Sequence, residues 1–151
     1  MQTQRVGDRP RRACPACGYV HFTDPKVGVG VAVVVEGRLL LVRRAMNPER
    51  GKWSLPAGYL DQGEDPGETA AREALEETGL VVEIDKLIDV FHNAPGRGGA
   101  SIFILYRARL TGGQLQAGDD AEEAEFFAFD QLPELAFAST RMAVAALLRE
   151  E

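Results

Sequence analysis

Gly58-Tyr-Leu-Asp-Gln-Gly-Glu-Asp-Pro-Gly-Glu-Thr-Ala-Ala-Arg-Glu-Ala-Leu-Glu-Glu-Thr-Gly-Leu80 is the stretch of this chain whose reading decides the rest. Its second half predicts a helix over residues 66–78. Asp65 can cap it, Pro66 suits the first helical position, and Glu68 lies three residues after the cap, as a capping box requires. Gly79 is a natural stop. At about 100° per residue, Glu73, Glu76 and Glu77 share an arc of about 100°. Ala70, Ala74, Thr78, Ala71 and Leu75 form a stripe of mostly small residues on another side, which lets such a helix lie close to a sheet. Three like charges on one face destabilise a helix in isolation. A hard divalent cation reverses that sign, because Mg²⁺ takes carboxylate oxygens and keeps positions for water and phosphate. A solvated acidic face has the same spacing, so spacing alone does not separate the two.

Outward from that helix the signals are regular. Val27–Val35 is β-branched and almost wholly apolar, as expected of a buried strand. Glu36-Gly37 turns the chain into a second strand, Arg38–Arg44. Residues 47–52 read as a loop, and Trp53–Leu60 as a short extended segment broken by Pro56 and Gly58. Beyond the helix, strands are expected over Val81–Ile84, Leu87–His92, Ile102–Leu110 and Glu125–Phe129. A turn of helix is expected over Gln131–Leu135, and Ser139 is expected to cap a last helix ending at Arg149. Short strands with a helix among them predict an α/β/α sandwich with a mixed sheet.

A length of 151 residues suits one domain with a core of its own. No run approaches the roughly 20 apolar residues of a membrane helix, and the polar, basic N-terminus has no apolar stretch of the secretory kind. A cytoplasmic setting is the expectation. The net charge of −6 argues against passive binding to nucleic acid or to an anionic membrane. It also means that a phosphate-bearing substrate needs a cation to offset the local carboxylates.

The loop and helix together resemble the Nudix box, GX5EX7REUXEEXGU. Gly58, Glu64, Arg72, Glu73, Glu76, Glu77 and Gly79 all stand at their fixed positions, and Ala74 departs from the bulkier aliphatic of the pattern. Gly51-Lys-Trp-Ser-Leu-Pro-Ala-Gly58 resembles the lead-in of the same superfamily. The resemblance implies a Nudix-type α/β/α sandwich over residues 26–151 and an enzyme that hydrolyses phosphoric anhydrides with Mg²⁺, for which Mn²⁺ can substitute. It implies Glu73, Glu76 and Glu77 as metal-ligand carboxylates, and the carbonyl of Ala57 or Gly58 as a further ligand. Glu64 is implied as an outer carboxylate and Arg72 as the cation that orients the others. A further base or ligand from beyond the box is implied as Glu123, with Asp120, Glu122 and Glu125 as alternatives.

Residues 1–25 read as an arm or small knuckle. Cys14-Pro-Ala-Cys17-Gly18, with His21 and Asp24-Pro25-Lys26, resembles the segment entering the Nudix domain of NADH and FAD pyrophosphatases, and the tail Phe127–Thr140 resembles the FAD/ADP-ribose group. The substrate so implied is a small nucleotide, a nucleoside diphosphate joined to another moiety. Other Nudix activities, such as cleansing nucleoside triphosphates, and a non-catalytic nucleotide sensor are the alternatives. The relatives have a second CxxC that completes a zinc site. Here Cys14, Cys17 and His21 offer at most three ligands where a closed site takes four, so a metal-free remnant is favoured over zinc. Arg43, Arg44, Trp53 and Arg97 are the candidate substrate contacts, with core packing the competing role for Trp53. A homodimer fits the ADP-ribose branch.

Overall fold

The protein is described by a computed structural model covering residues 1–94 and 99–150. Arg97 lies outside the described residues. Three strands, β1 (Gln2–Val6), β2 (Arg9–Ala13) and β3 (Val20–His21), form a small antiparallel sheet of their own. The remaining strands are β4 (Val27–Val35), β5 (Arg38–Arg44), β6 (Trp53–Ser54), β7 (Ala57–Tyr59), β8 (Leu80–His92), β9 (Ile102–Gly113) and β10 (Ala121–Ala128). They form one seven-stranded sheet with the order β10-β5-β4-β9-β8, to which β6 adds beside β5 and β7 beside β4. Among the strand pairings of the described residues, β4 and β9 run parallel and the others antiparallel, so the sheet is mixed.

Helix α1 (Pro66–Thr78) covers one face of this sheet and α2 (Ala138–Glu150) the other. The alternation of side chains along a strand builds both cores at once. Val29, Val31 and Val33 of β4 meet Ala70 and Ala74 of α1, with Leu40 beside them. On the opposite face Ala32, Leu39 and Leu41 meet Ala143, Val144, Ala146 and Leu147 of α2. A strand buried on both faces must be apolar throughout, which is why β4 reads without alternation. The α/β/α sandwich expected from the sequence is therefore the fold.

Several local expectations differ. The two strands expected over Val81–Ile84 and Leu87–His92 are the single strand β8. Register shifts between Val81 and Val82, Ile84 and Lys86, and Leu87 and Asp89 absorb the polar residues that looked like a break. Residues 131–135 form no helical turn. Leu135 instead bridges Trp53 in parallel, and the Trp53 N–H donates to the Glu134 carbonyl at 3.0 Å, so this backbone is spent on a strand-like contact. Ser139 lies inside α2, which begins at Ala138, and so does not cap it. The N-terminal arm has regular strands, tied by a knuckle in which the Cys14 N–H donates to the Tyr19 carbonyl at 2.8 Å and the Gly18 N–H to the Cys14 carbonyl at 2.9 Å. Among the described residues no helix is long and apolar enough to cross a membrane.

Candidate active site

Helix α1 starts and stops where its caps dictate. The Asp65 carboxylate accepts from the Glu68 N–H at 3.0 Å, and Gly79 takes the left-handed conformation (φ 75°) that ends the helix. Its buried residues are Thr69, Ala70, Ala74, Glu77 and Thr78, while Leu75 is exposed. The packed arc is thus rotated from the stripe expected in the sequence, toward the acidic side. That rotation puts Glu77 against the sheet, only 7% exposed.

A buried carboxylate needs partners. Glu77 Oε1 accepts from the Ala57 N–H at 3.1 Å, tying α1 to the loop of β7. Burial raises its pKa to about 8, and the neighbouring Glu73, Asp119 and Asp120 push the same way against the Ala57 hydrogen bond. Glu73 is raised to about 7, by burial first and by Glu76 second, with the Arg72 guanidinium opposing. Gly58 is required here: a Cβ at that position would strike the Glu73 carboxylate. Arg72 reaches Glu64 at 2.6 Å, Glu76 at 3.6 Å and Glu73 at 3.9 Å. Glu64 also accepts from the Asp61 N–H at 2.8 Å, and its carboxyl is held below the usual range, first by Arg72 and then by that N–H.

Among the described residues, one set of three donor side chains could share an ion: Glu73, Glu76 and Asp119, whose ligand atoms lie within 4.8 Å of one another. Asp119 was not among the residues expected from the sequence. Its loop docks on the end of α1. The Gln116 N–H donates to the Thr78 carbonyl at 2.8 Å and the Gly118 N–H to the Glu77 carbonyl at 3.1 Å. Hard carboxylate oxygens, converging although their mutual repulsion opposes it, fit a hard divalent cation such as Mg²⁺ or Mn²⁺. Cys14 and Cys17 do not belong to any such set of three.

Glu73, Glu77, Asp119 and Asp120 line a cleft of about 690 Å³ that also takes in Arg44, His92, Phe103 and Phe137. The Arg44 guanidinium stacks on the Phe137 ring at 4.8 Å and its Nε donates to the Pro48 carbonyl at 2.8 Å. The other sequence-derived candidates fall elsewhere. Arg43 pairs with Glu122 at 2.8 Å and Glu123 at 3.4 Å across β5 and β10, so Glu123 joins Arg43 and not the cluster on α1. Trp53 is a core residue, 9% exposed, edge-on to Phe127 with ring centroids 4.8 Å apart.

Comparison with known proteins bears on the chain as a whole. Residues 24–147 match the NUDIX domain family. An ADP-ribose pyrophosphatase of Methanocaldococcus jannaschii is 40% identical over 121 residues, 79% of this chain and 71% of that protein. The NAD-capped RNA hydrolase NudC of Stutzerimonas stutzeri is 30% identical over 151 residues, and the match spans 97% of this chain but only half of NudC. A crystal structure of a NUDIX hydrolase from Nitrosomonas europaea superposes with a TM-score of 0.83 at 35% identity, covering 98% of this chain and 83% of that one.

Proposed function

The chain belongs to the Nudix family of hydrolases, and we propose that it splits the diphosphate of a nucleoside diphosphate linked to another moiety, of the FAD, ADP-ribose or NADH class, to release AMP. The observation that carries this reading is that Glu73 and Asp119, whose carboxylate oxygens converge with that of Glu76 within 4.8 Å, line a cleft of about 690 Å³ together with Glu77, a volume within the range of small-molecule sites. The names of the relatives, an ADP-ribose pyrophosphatase and an NAD-capped RNA hydrolase, support the substrate class.

Mg²⁺ or Mn²⁺ would be held by Glu73, Glu76 and Asp119, with Glu77 and the carbonyl of Ala57 or Gly58 beside them. When bound, the cation supplies charge neutralisation and Lewis acidity to the phosphate oxygens. The protein's own groups do the positioning. Arg72, shared among Glu64, Glu73 and Glu76, fixes the carboxylates before substrate arrives, so less reorganisation is needed during reaction. Arg44 commits one N–H to Pro48 and stacks on Phe137, leaving its other donors for a phosphate oxygen and the ring for a base. Asp120, which also lines the cleft and is outside the ligand set, would be the carboxylate that takes a proton from attacking water.

A hydrolysis screen over FAD, NADH, ADP-ribose and deoxynucleoside triphosphates tests this. AMP from one of the first three, abolished by EDTA and restored by Mg²⁺, is expected. Pyrophosphate released from triphosphates alone would replace it with a house-cleaning activity, and tight ADP-ribose binding without turnover would replace it with a sensor.

A further inference from the structure

The small N-terminal sheet carries a charge opposite to that of the rest of the chain. Residues 1–26 hold five of the 17 Lys and Arg but only two of the 23 Asp and Glu. The register divides the arginines among them between the two sides of the sheet, Arg9 and Arg11 on one and Arg5 and Arg12 on the other. Thr3 lies opposite Arg12 and Arg12 opposite His21, while Arg5 lies opposite Pro10 on the same face, since cross-strand partners share a side. Arg9, Arg11, Arg12, His21, Thr3 and Thr23 line a hollow of about 340 Å³ with no carboxylate in its wall. Among the described residues, Arg5, Arg9, Arg11 and Arg12 take part in no ion pair, although acidic side chains outnumber basic ones over the whole chain. The Arg11 guanidinium lies 4.6 Å from the centroid of the Phe22 ring, and that ring is still 56% exposed.

From this arrangement we propose that the N-terminal sheet is a binding surface for single-stranded nucleic acid, its phosphates in the arginine-lined hollow and a base stacked on Phe22. Unpaired guanidiniums repel one another, and a phosphodiester backbone offsets that repulsion at several points at once. An exposed ring beside them favours a strand with free bases over a smooth anionic surface, because aromatic faces stack any base. The net charge of −6 does not oppose this, since 21 of the 23 acids lie beyond residue 26, Asp8 and Asp24 being the exceptions, and screening confines a charge's field to about a Debye length, ~10 Å at 0.1 M salt. The surface is separate from the carboxylate cleft and stands whether or not the diphosphatase reading holds.

Fluorescence anisotropy with a labelled 12-nucleotide single-stranded RNA, on the full chain, tests it. Binding is expected at ~50 mM salt, with log K falling by about 0.7 per decade of salt for each phosphate neutralised. The double variant R9E/R12E should weaken it by about tenfold or more. Phe22→Ala should weaken it by a factor of several, whereas Arg38→Glu on β5 should not. Circular dichroism of each variant, and unchanged ADP-ribose hydrolysis where wild type has it, would show that the fold persists. Failure to bind RNA at low salt, or binding indifferent to R9E/R12E, would overturn the proposal. So would equal or tighter binding to vesicles containing phosphatidylserine with no effect of Phe22→Ala.

Discussion

Glu77 is held by two opposing demands. Its carboxylate is buried, which favours the protonated form, yet it sits among Glu73, Asp119 and Asp120, where its value to a cation lies in being charged. Gln at this position keeps an oxygen for the Ala57 N–H but can no longer offer charge. Glu77→Gln should therefore leave the fold intact while lowering turnover at least about a hundredfold. Steady-state kinetics with Mg²⁺ beside a melting curve would check it, and near-normal turnover would remove Glu77 from the metal site. At this scale the sequence was informative wherever residues lie on one helix, because periodicity sets their relative angles. Glu73, Glu76 and Glu77 were legible for that reason, whereas the bond from Arg72 to Glu64 was not, because it depends on how the loop before the helix folds back on it. Asp119 was not, because its place depends on how a loop more than 40 residues beyond Glu76 docks, and no local period encodes that.

Docking of that loop on the end of α1 is the element-level feature that completes the carboxylate set. Gly118 lies so close to the helix that an added Cβ would sit 2.7 Å from the Glu76 carbonyl. Real contacts do not tolerate that against backbone, so Gly118→Ala must push the loop outward and carry Asp119 with it. Mn²⁺ affinity, measured calorimetrically, should fall about tenfold, as for loss of a supporting contact at a metal site. The helix itself should remain folded, since its cap at Asp65 and its packing through Ala70 and Ala74 are untouched. Unchanged Mn²⁺ binding would show that Asp119 is no part of the site. Other elements were legible in proportion to how locally they are determined. Strands β4 and β5 and helix α1 have the bounds their patterns predict, because turn residues and caps mark their ends. Strand β8 was read as two because bulges hide a continuous ladder behind polar residues, and residues 131–135 were misread because a partner remote in sequence, Trp53, claims their backbone.

For the molecule as a whole, concentrating acids on one wall of the cleft couples stability to pH and to metal. Without a cation, Glu77 and Glu73 have folded pKa values of about 8 and about 7, above the ordinary 4.5 of an unfolded glutamate. A raised carboxylate binds its proton more tightly in the native state. Its contribution to stability is therefore full below the unfolded value, near pH 4.5, and is lost as pH rises through the folded values, about 7 to 8. The metal-free protein should melt at progressively lower temperature from pH 5 to pH 8 and level off above it. A divalent cation favours the ionised carboxylates and must displace their protons, so its stabilising effect should grow over the same window. Melting curves in EDTA and in Mg²⁺ should diverge as pH rises, and Glu77→Gln should flatten the EDTA curve, because the amide has no proton to lose. An EDTA melting temperature that stays level between pH 5 and 8 would mean that these carboxylates ionise freely in the folded chain, leaving no stored repulsion for a cation to relieve.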